Sequence, residues 1–310
     1  MRTVLAGDLG GTKCRFALVA EDFSVLRVQR VTTVRERAPF LAEFERAIAA
    51  VLAVLPTGCA APTAAGFGTA GVIPLDGQSI DHAPNLPLDG FPLARHVEQR
   101  FGLRATLLND GRASAWGEYL RGLAVGRDPL LCLFFGTGIG IGLIVDGRPF
   151  AGATNAAGEI GHTIYVPGGR RCPCGGLGHF EAYCGGRAIV ERAAEQLGAA
   201  SNGTWNVGDV VAVAAGGAAG AAAARAILDE AAAAARALVA NACTLLNPSA
   251  VVLGGGVLDG WPALRGELES HVRQATSRLI HEHLTFVPSL GGSDAILWGA
   301  AAATGALWQP

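Results

Sequence analysis

The most constraining feature of this sequence is a strand-glycine-strand unit that occurs twice. In the first copy, the glycine turn Gly7–Thr12 separates two predicted strands at 3–6 and 15–20. The second copy has the same plan, with strand, glycine turn and strand at 130–135, 136–140 and 141–145. We interpret the repetition as an internal duplication of one α/β core, which predicts two related lobes with a cleft between them. A chain of 310 residues can form both, because single cores stop growing beyond about 250–300 residues.

The order of the remaining segments suggests where the lobes begin and end. Apolar residues recur at helical spacing from Phe40 to Leu55, which predicts an amphipathic helix that covers a sheet. We expect an N-terminal lobe at 1–118, completed by a C-terminal helix at 293–308. The C-terminal lobe should occupy 119–292 and carry a loop-rich insert at 151–186.

Two short predicted strands deliver polar loops at their carboxyl ends. The strand at 64–67 is followed by a loop that ends at Gly71. The strand at 105–108 ends at Asn109–Asp110, and a predicted helix at 112–120 follows. Open α/β sheets bind ligands at such strand ends. Both loops are therefore candidates for a binding site.

The two glycine turns are candidate phosphate loops. They carry threonines beside their glycines, at Gly10, Gly11 and Thr12 and at Gly136, Thr137 and Gly138. Backbone amides of such turns can bind phosphate oxygens, and only glycine lets the chain approach so closely.

Two better-known phosphate motifs do not match these turns. A dinucleotide fold needs a helix directly after its glycines, whereas a strand follows here. A Walker loop needs the order Gly-Lys-Ser/Thr, whereas this chain has Gly11-Thr12-Lys13. Either turn alone could be an ordinary tight hairpin, but the matched pair together with Asp8 indicates phosphate binding.

Composition excludes several other classes of protein. The chain has 24 basic and 26 acidic side chains, so it lacks the strong positive field that attracts nucleic acid or anionic lipid. The N-terminus has too short an apolar run for a signal peptide, and charged residues interrupt the most apolar stretch, 210–242. Seven cysteines without a secretion signal do not suggest disulfides. We expect a cytoplasmic enzyme that acts on a small molecule, without nucleic-acid or membrane partners.

Six motifs resemble, in order, those of the ROK family of sugar kinases and sugar-responsive repressors. They are Asp8–Lys13, Leu108–Asp110, Gly136–Gly140, Gly158–His162, Cys172–Gly175 and Asn247–Gly256. The resemblance covers nearly the whole chain and implies an α/β architecture of the actin-like ATPase (ribonuclease H-like) fold. It also implies a homodimer, since homodimers are common in the family.

The resemblance implies how the chain would bind a nucleotide. ATP phosphates would lie on Gly10, Gly11, Thr12 and Lys13 and on Gly136, Thr137 and Gly138. The nucleoside would lie near Gly254, Gly255 and Gly256, which follow a buried strand predicted at 250–253, although these glycines could also form a simple strand-to-helix turn. Asp8 would hold Mg²⁺ through water, because a bare carboxylate in a phosphate loop would otherwise repel ATP.

Asp110 is the candidate catalytic base. Phosphoryl transfer to an alcohol needs one carboxylate that orients the hydroxyl and accepts its proton. Asp110 matches the aspartate that serves as base in the family, and the donor and acceptor of Asn109 suit a sugar diol. On local sequence alone, Asn109–Gly111 could instead be an ordinary turn in which Asp110 caps the next helix. Arg112 departs from the small polar residue that the family more often has there.

Further residues are implied as contacts of the sugar. By resemblance they are Asn85, Glu159, His162 and Glu181, and we add Gly71 from the loop after the strand at 64–67. Carboxylates can accept hydrogen bonds from several hydroxyl groups at once.

The loop-rich insert contains a candidate zinc site. Its ligands would be His162, Cys172, Cys174 and His179. The family pattern has a third cysteine where this chain has His179, so we expect two cysteines and two histidines, with Cys184 as the reserve ligand. A metal-free turn is the alternative, but it would leave thiols exposed in a loop. Four protein ligands make a closed, structural site, which would brace the loop that carries the sugar contacts.

The hypothesis for function is transfer of the γ-phosphoryl group of ATP to the primary hydroxyl of a hexose. Glucose is the first candidate, because residues 156–162 and 181–183 look most like the family's glucokinases. Fructose, mannose, allose, N-acetylglucosamine and N-acetylmannosamine are alternatives, as is a sugar-sensing protein that has lost catalysis. A DNA-binding repressor is disfavoured, because only seven residues precede Asp8 and the charge balance is slightly acidic.

Overall fold

A computed structural model describes residues 1–200, 203–217 and 219–307, and it divides into two compact units. Unit 1 comprises Met1–Leu130, Gly142–Gly158 and the chain from Ser289 onward. Unit 2 comprises Leu131–Ile141 and Glu159–Pro288. Neither unit is one continuous stretch of chain. The lobe boundaries at 118/119 and 292/293 stay predictions.

The first sheet belongs to unit 1 and contains five strands. They are β1 (Thr3–Leu9), β2 (Lys13–Ala20), β3 (Val25–Thr32), β4 (Ala64–Thr69) and β5 (Arg104–Asn109), in the order β3-β2-β1-β4-β5. β2 pairs antiparallel with β1 and β3, whereas β4 pairs parallel with β1 and β5. The two predicted strands of the first glycine hairpin are confirmed. β3, which the sequence analysis did not predict, extends the hairpin.

The second sheet has the same strand order as the first. Its strands are β6 (Leu130–Phe135), β7 (Ile139–Val145), β8 (Arg148–Pro149), β9 (Ala250–Gly254) and β10 (Thr285–Pro288), in the order β10-β9-β6-β7-β8. When the strands of each sheet are numbered one to five in chain order, both sheets have the order three, two, one, four, five. The repeated order confirms the predicted duplication of one α/β core.

Eleven helices accompany the sheets in the described part of the chain. They are α1 (Arg37–Leu52), α2 (Leu93–Phe101), α3 (Asp110–Arg121), α4 (Glu181–Cys184), α5 (Gly186–Leu197), α6 (Val207–Ala215), α7 (Ala221–Leu246), α8 (Gly256–Gly260), α9 (Ala263–Ala275), α10 (Arg278–His281) and α11 (Ala295–Ala303). Short 3-10 turns lie at Ile160–His162 and Gly292–Asp294. Within the described residues, none of these helices combines the length and apolar character needed to span a bilayer.

Two predicted helices have different ends in the structure. α3 begins at Asp110, because the side chain of Asn109 caps it by accepting a hydrogen bond from the Arg112 amide. α11 ends at Ala303 and is shorter than the predicted helix 293–308, whose last position lies outside the described residues. Gly305 adopts φ +62° just after α11, and this left-handed conformation is typical of a helix end.

Each unit has its own apolar core. In unit 1, α1 covers the first sheet as its spacing predicted, and Phe44 contacts Phe16 and Phe67 with ring centroids 5.2 and 5.7 Å apart. In unit 2, the buried face of α7 consists largely of alanine, and it packs with α5, α6 and α9. These cores hold the strand ends that carry the candidate site.

Candidate active site and metal centre

The first glycine turn joins β1 to β2 without an intervening helix. The Gly10 amide donates to Lys13 O at 3.2 Å, and the Thr33 hydroxyl donates to Gly10 O at 2.6 Å. Thr12 and Lys13 are exposed at the tip of the turn, and Gly11 is half-buried. The turn is thus fixed at its base and accessible at its tip, as a phosphate loop requires.

Asp8 is half-buried on β1, just before this turn. Arg15 lies directly opposite in the β1–β2 pair, and its Nε is 3.3 Å from Asp8 Oδ2. Burial raises the pKa of Asp8, the Arg15 guanidinium opposes that effect, and the charge of Asp110 adds to it. The two carboxylates therefore lie near enough to influence each other.

Asn109 and Asp110 lie at the same end of the first sheet as Asp8, where the parallel strands have their carboxyl ends. The register pairs Leu9 with Thr69 and Thr69 with Asn109, so β1, β4 and β5 end side by side. Asp110 Oδ1 accepts the Gly111 amide at 2.8 Å. Burial raises the pKa of Asp110, although the Gly111 amide and the Arg112 charge work against that rise. A raised pKa is what a carboxylate base needs near neutral pH.

The segment that carries Asn85 contacts the first glycine turn. A Cβ built on Gly11 would lie 2.5 Å from the Cβ of Asn85, so only glycine fits against this residue. Arg35 Nη1 holds the segment by donating to Asn85 O at 3.0 Å. Gly71 lies in a neighbouring loop that pairs with the same segment through a bridge between Val72 and His82. Unit 1 therefore holds four of the predicted sugar contacts: Gly71, Asn85, Asn109 and Asp110.

Arg112 does not extend into solvent, although it replaces a small polar residue of the family pattern. Its side chain is buried and donates to both Oδ1 and the backbone oxygen of Asn155. Asn155 in turn donates to Ile73 O at 2.7 Å and Pro74 O at 3.2 Å. Arg112 thus ties the start of α3 to two loops of unit 1.

The second glycine turn is fixed by the segment around the end of the insert. Gly136 N donates to Gly138 O at 2.9 Å. Gly186 N donates to Gly136 O and Arg187 N donates to Thr137 O, both at 2.9 Å.

Gly254, Gly255 and Gly256 form the turn between β9 and α8. A Cβ on Gly255 would lie 2.5 Å from Phe135 O, so this turn lies against the end of β6. Unit 2 thus gathers two of the predicted nucleotide segments.

Glu181 also lies against the second glycine turn. Its Oε2 accepts the Ile139 amide at 2.9 Å, and its Oε1 is 4.0 Å from Cys172 Sγ. A Cβ built on Gly138 would lie only 2.2 Å from Glu181 Oε2. The carboxylate therefore connects the turn to the insert, a contact that the sequence did not predict.

The predicted phosphate role of the second glycine turn implies that Gly138→Ala raises the KM for ATP roughly tenfold or more, because the methyl group would displace Glu181 and with it the turn. Gly140→Ala is the matched control, since its Cβ would lie 3.7 Å from the nearest atom, which is ordinary van der Waals contact. Steady-state kinetics with varied ATP would check both variants. Equal KM values for the two variants would contradict the importance of this contact.

The insert brings the four predicted metal ligands together. The donor atoms of His162, Cys172, Cys174 and His179 all lie within 4.8 Å of one another. Cys174 Sγ is 3.2 Å from His179 Nδ1, and Cys172 Sγ is 3.6 Å from His162 Nδ1. Zinc bonds of about 2.0–2.3 Å place tetrahedral ligands at similar separations. The set of two thiols and two imidazoles therefore fits a four-coordinate zinc ion.

Cys184 and Glu159 lie at the edge of this cluster. The Cys184 thiol is buried and donates to Phe180 O at 3.3 Å, and Cys184 is not one of the four gathered ligands. Glu159 Oε2 is 3.9 Å from His162 Nε2. One imidazole nitrogen of His162 thus faces Cys172 while the other faces Glu159. Unit 2 therefore holds the remaining predicted sugar contacts, Glu159, His162 and Glu181, beside the metal cluster.

Three buried polar residues of unit 1 escaped the sequence analysis. They are Arg15, Glu118 and Asn155. Arg15 lies between the apolar residues Cys14 and Phe16, and this placement was a usable signal because a buried charge needs partners. Glu118 lies in a predicted helix and Asn155 in the loop-rich insert, where single polar side chains are ordinary, so neither gives a comparable signal.

The chain is similar in sequence to known proteins over most of its length. The sequence model described as "ROK family" matches residues 4–306. A glucokinase of Streptomyces coelicolor is 33% identical over 274 residues, which are 84% of this chain and 83% of the relative. An N-acetylmannosamine kinase of Vibrio cholerae is 31% identical over 306 residues, 97% of this chain and 98% of the relative.

A solved structure resembles the chain over nearly its whole length. It is a ROK family glucokinase from Streptomyces griseus in complex with glucose and AMPPNP. The similarity has a TM-score of 0.81 at 29% identity and covers 97% of this chain and 99% of the other. The predicted actin-like ATPase fold is thereby confirmed.

Proposed function

The chain belongs to the ROK family, and on that premise we propose that it transfers the γ-phosphoryl group of ATP to the primary hydroxyl of a hexose. One observation carries the proposal: Asp8 and Asp110 leave the same edge of the first sheet, and each carboxylate has a raised pKa. One carboxylate beside a phosphate turn and another at the head of a helix supply the two acidic groups that phosphoryl transfer requires.

Asp110 is the proposed base. It orients the sugar hydroxyl and accepts its proton as the oxygen bonds to the γ-phosphorus. The bond from phosphorus to the bridging oxygen breaks, and ADP leaves. The raised pKa supports this role, because the carboxylate binds a proton more readily than an exposed aspartate does.

The two glycine turns are the proposed phosphate sites. Gly10, Gly11, Thr12 and Lys13 form one, and Gly136, Thr137 and Gly138 form the other, with the nucleoside near Gly254, Gly255 and Gly256. Asp8 fits a role in holding Mg²⁺ through water, since its side chain is 24% exposed beside an accessible turn. Bound magnesium would neutralise charge on the phosphates.

The sugar contacts are proposed in both units. Asn85 and Asn109 would bind hydroxyl groups from unit 1, with Gly71 in the adjoining loop. Glu159, His162 and Glu181 would do so from unit 2. The engagement of Glu181 Oε2 by the Ile139 amide leaves this carboxylate less acceptor capacity for a sugar than the sequence suggested.

The metal of the insert is proposed to be zinc with a structural role. Two cysteines and two histidines are typical zinc ligands, and four protein ligands leave no position for a substrate. His162 belongs to both the cluster and the proposed sugar site, so the metal would fix the orientation of a sugar contact. The predicted homodimer and cytoplasmic location stay predictions.

A coupled assay of ADP release tests the function. We expect glucose to give the highest kcat/KM in a panel with fructose, mannose, allose and the two N-acetyl sugars. N-acetylmannosamine is the leading alternative, because a relative named N-acetylmannosamine kinase aligns over 97% of this chain.

A sugar sensor is the second candidate, because the ROK family also includes non-catalytic regulators. ATP consumption with none of the sugars, combined with sugar binding in calorimetry, would contradict the kinase and favour a sugar sensor.

A further inference from the structure

We propose that Arg15 is a positioning residue for the Asp8 carboxylate, and that Ser293 and Asp294 before α11 hold the guanidinium in place. The inference rests on the proposed function, because it assumes that Asp8 acts beside the phosphates of ATP. It adds a residue and a supporting segment that lie outside the glycine turns.

Arg15 lies where an unpaired charge would be very costly. It is only 2% exposed, and its neighbours on β2, Cys14 and Phe16, are fully buried. Removing one partner of a buried ion pair is strongly destabilising, because the other charge is left buried without compensation. A guanidinium is therefore retained at this position only if its partners bind it well.

The partners engage the guanidinium from two sides. Nε is 3.3 Å from Asp8 Oδ2. Nη1 donates to Ser293 Oγ at 2.9 Å and to Asp294 Oδ1 at 3.0 Å, and Nη2 donates to Ser293 O. The guanidinium is planar and its donors are fixed relative to one another. Contacts with the 293–294 segment therefore determine the direction from which Arg15 meets Asp8.

The 293–294 segment is itself anchored. Glu118 on α3 is fully buried and accepts hydrogen bonds from the Ser289 hydroxyl and from the amides of Leu290 and Gly291, the last two at 3.3 and 3.1 Å. α3 is the helix that begins at Asp110. A continuous series of polar contacts thus runs from the helix of the proposed base, through residues 289–294, to Arg15 and Asp8.

This arrangement gives Arg15 a function that charge alone does not provide. A half-buried carboxylate could rotate toward several neighbours, whereas a fixed donor on Oδ2 holds it in one orientation. Misplacement of a positioning group by about 1 Å can cost about 100-fold in rate. Loss of Arg15 should therefore weaken magnesium-dependent binding of the nucleotide more than binding of the sugar.

Two replacements of Arg15 test the inference, with Arg30 as a matched control. Arg15→Met removes the charge but keeps most of the length, whereas Arg15→Lys keeps the charge without the planar donors. Arg30 is exposed and lies opposite Arg15 in the β2–β3 pair, so Arg30→Met changes the same chemistry outside the network. Calorimetry would measure AMPPNP binding as magnesium is varied, and kinetics would give the magnesium half-saturation and the KM of the sugar.

We expect Arg15→Met to raise the magnesium half-saturation roughly tenfold. Arg15→Lys should raise it less, and sugar binding and the Arg30→Met variant should resemble wild type. A folded Arg15→Met protein with wild-type magnesium dependence would overturn the inference. If Arg15→Met does not fold, a wild-type result for Arg15→Lys would overturn it equally. Wild-type protein that binds no magnesium nucleotide would instead overturn the proposed function, and the inference with it.

Discussion

Replacement of Asp110 by asparagine is expected to lower kcat by a factor of about 10²–10⁴, the contribution usual for a general base. Asparagine has nearly the same shape, and its oxygen can still accept the Gly111 amide that Asp110 Oδ1 accepts at 2.8 Å. It cannot accept the hydroxyl proton of the sugar. The sugar should therefore bind with an affinity close to that of wild type, as calorimetry can measure, while ADP release almost stops.

The stability of the Asp110→Asn variant separates a chemical effect from a folding defect. Because burial raises the pKa of Asp110 in the folded protein, its stabilising contribution is fully present below the pKa of the unfolded chain and is lost as pH rises from there through the folded pKa. At neutral pH the variant should melt at the wild-type temperature or above it. Wild-type kcat/KM should also fall as the pH is lowered through this raised pKa, because a protonated carboxyl cannot accept the proton of the sugar hydroxyl.

Asp229→Asn provides the control for these measurements, because Asp229 lies on the exposed face of α7. It should leave both kcat and the melting temperature unchanged. Near-normal turnover by Asp110→Asn with bound sugar would show that the base assignment is wrong.

Removal of the metal is expected to lower the melting temperature by roughly 10 °C. Binding at a free-metal concentration of about 1,000 times Kd stabilises the folded state by about 4 kcal/mol, and 1 kcal/mol corresponds to about 2–4 °C in a chain of this size. The cluster connects distant parts of the insert, since its ligands extend from His162 to His179. Metal analysis and thermal melts, before and after chelation, would measure the effect.

Substitution of single ligands should reproduce the effect of the chelator. Cys172→Ser and His179→Ala should each lose bound zinc, and Cys184→Ser, the matched control, should retain about one zinc per chain. Retention of zinc by His179→Ala together with its loss from Cys184→Ser would make Cys184 the fourth ligand. Purified protein without metal, whose melting temperature does not respond to chelation, would contradict a structural zinc.

The parts of the fold that follow from local pattern could be predicted from the sequence. β6 was predicted at its observed bounds, because an apolar run stops at the glycines after Phe135. α1 was predicted from Phe40, Phe44 and Ile48, whose helical spacing places all three in the core. The gathering of the four candidate metal ligands could also be predicted, since Cys172 and Cys174 are close in sequence and both histidines are near them.

Other features depend on contacts between residues far apart in the sequence. Arg15 meets Ser293 across 278 positions, and Arg112 meets Asn155 across 43, so neither pair has a local pattern. Glu181 was expected to face a sugar, yet its contact with the Ile139 amide depends on how the insert returns to the second glycine turn. β3 is rich in β-branched residues, but its valines recur at every third position, at Val25, Val28 and Val31, so it lacks the strict alternation that predicts a strand.

The position of α11 in the chain has a consequence for how the protein is made. α11 packs against α3, β1 and β4 of unit 1, but it follows every strand of both sheets in the sequence. During synthesis, the first sheet therefore lacks one of its packing helices until almost all of the described chain has been made. All residues of unit 2 precede α11 in the sequence, so unit 2 can complete its own core earlier. Unit 1 begins first but should be the last to reach its native packing during synthesis.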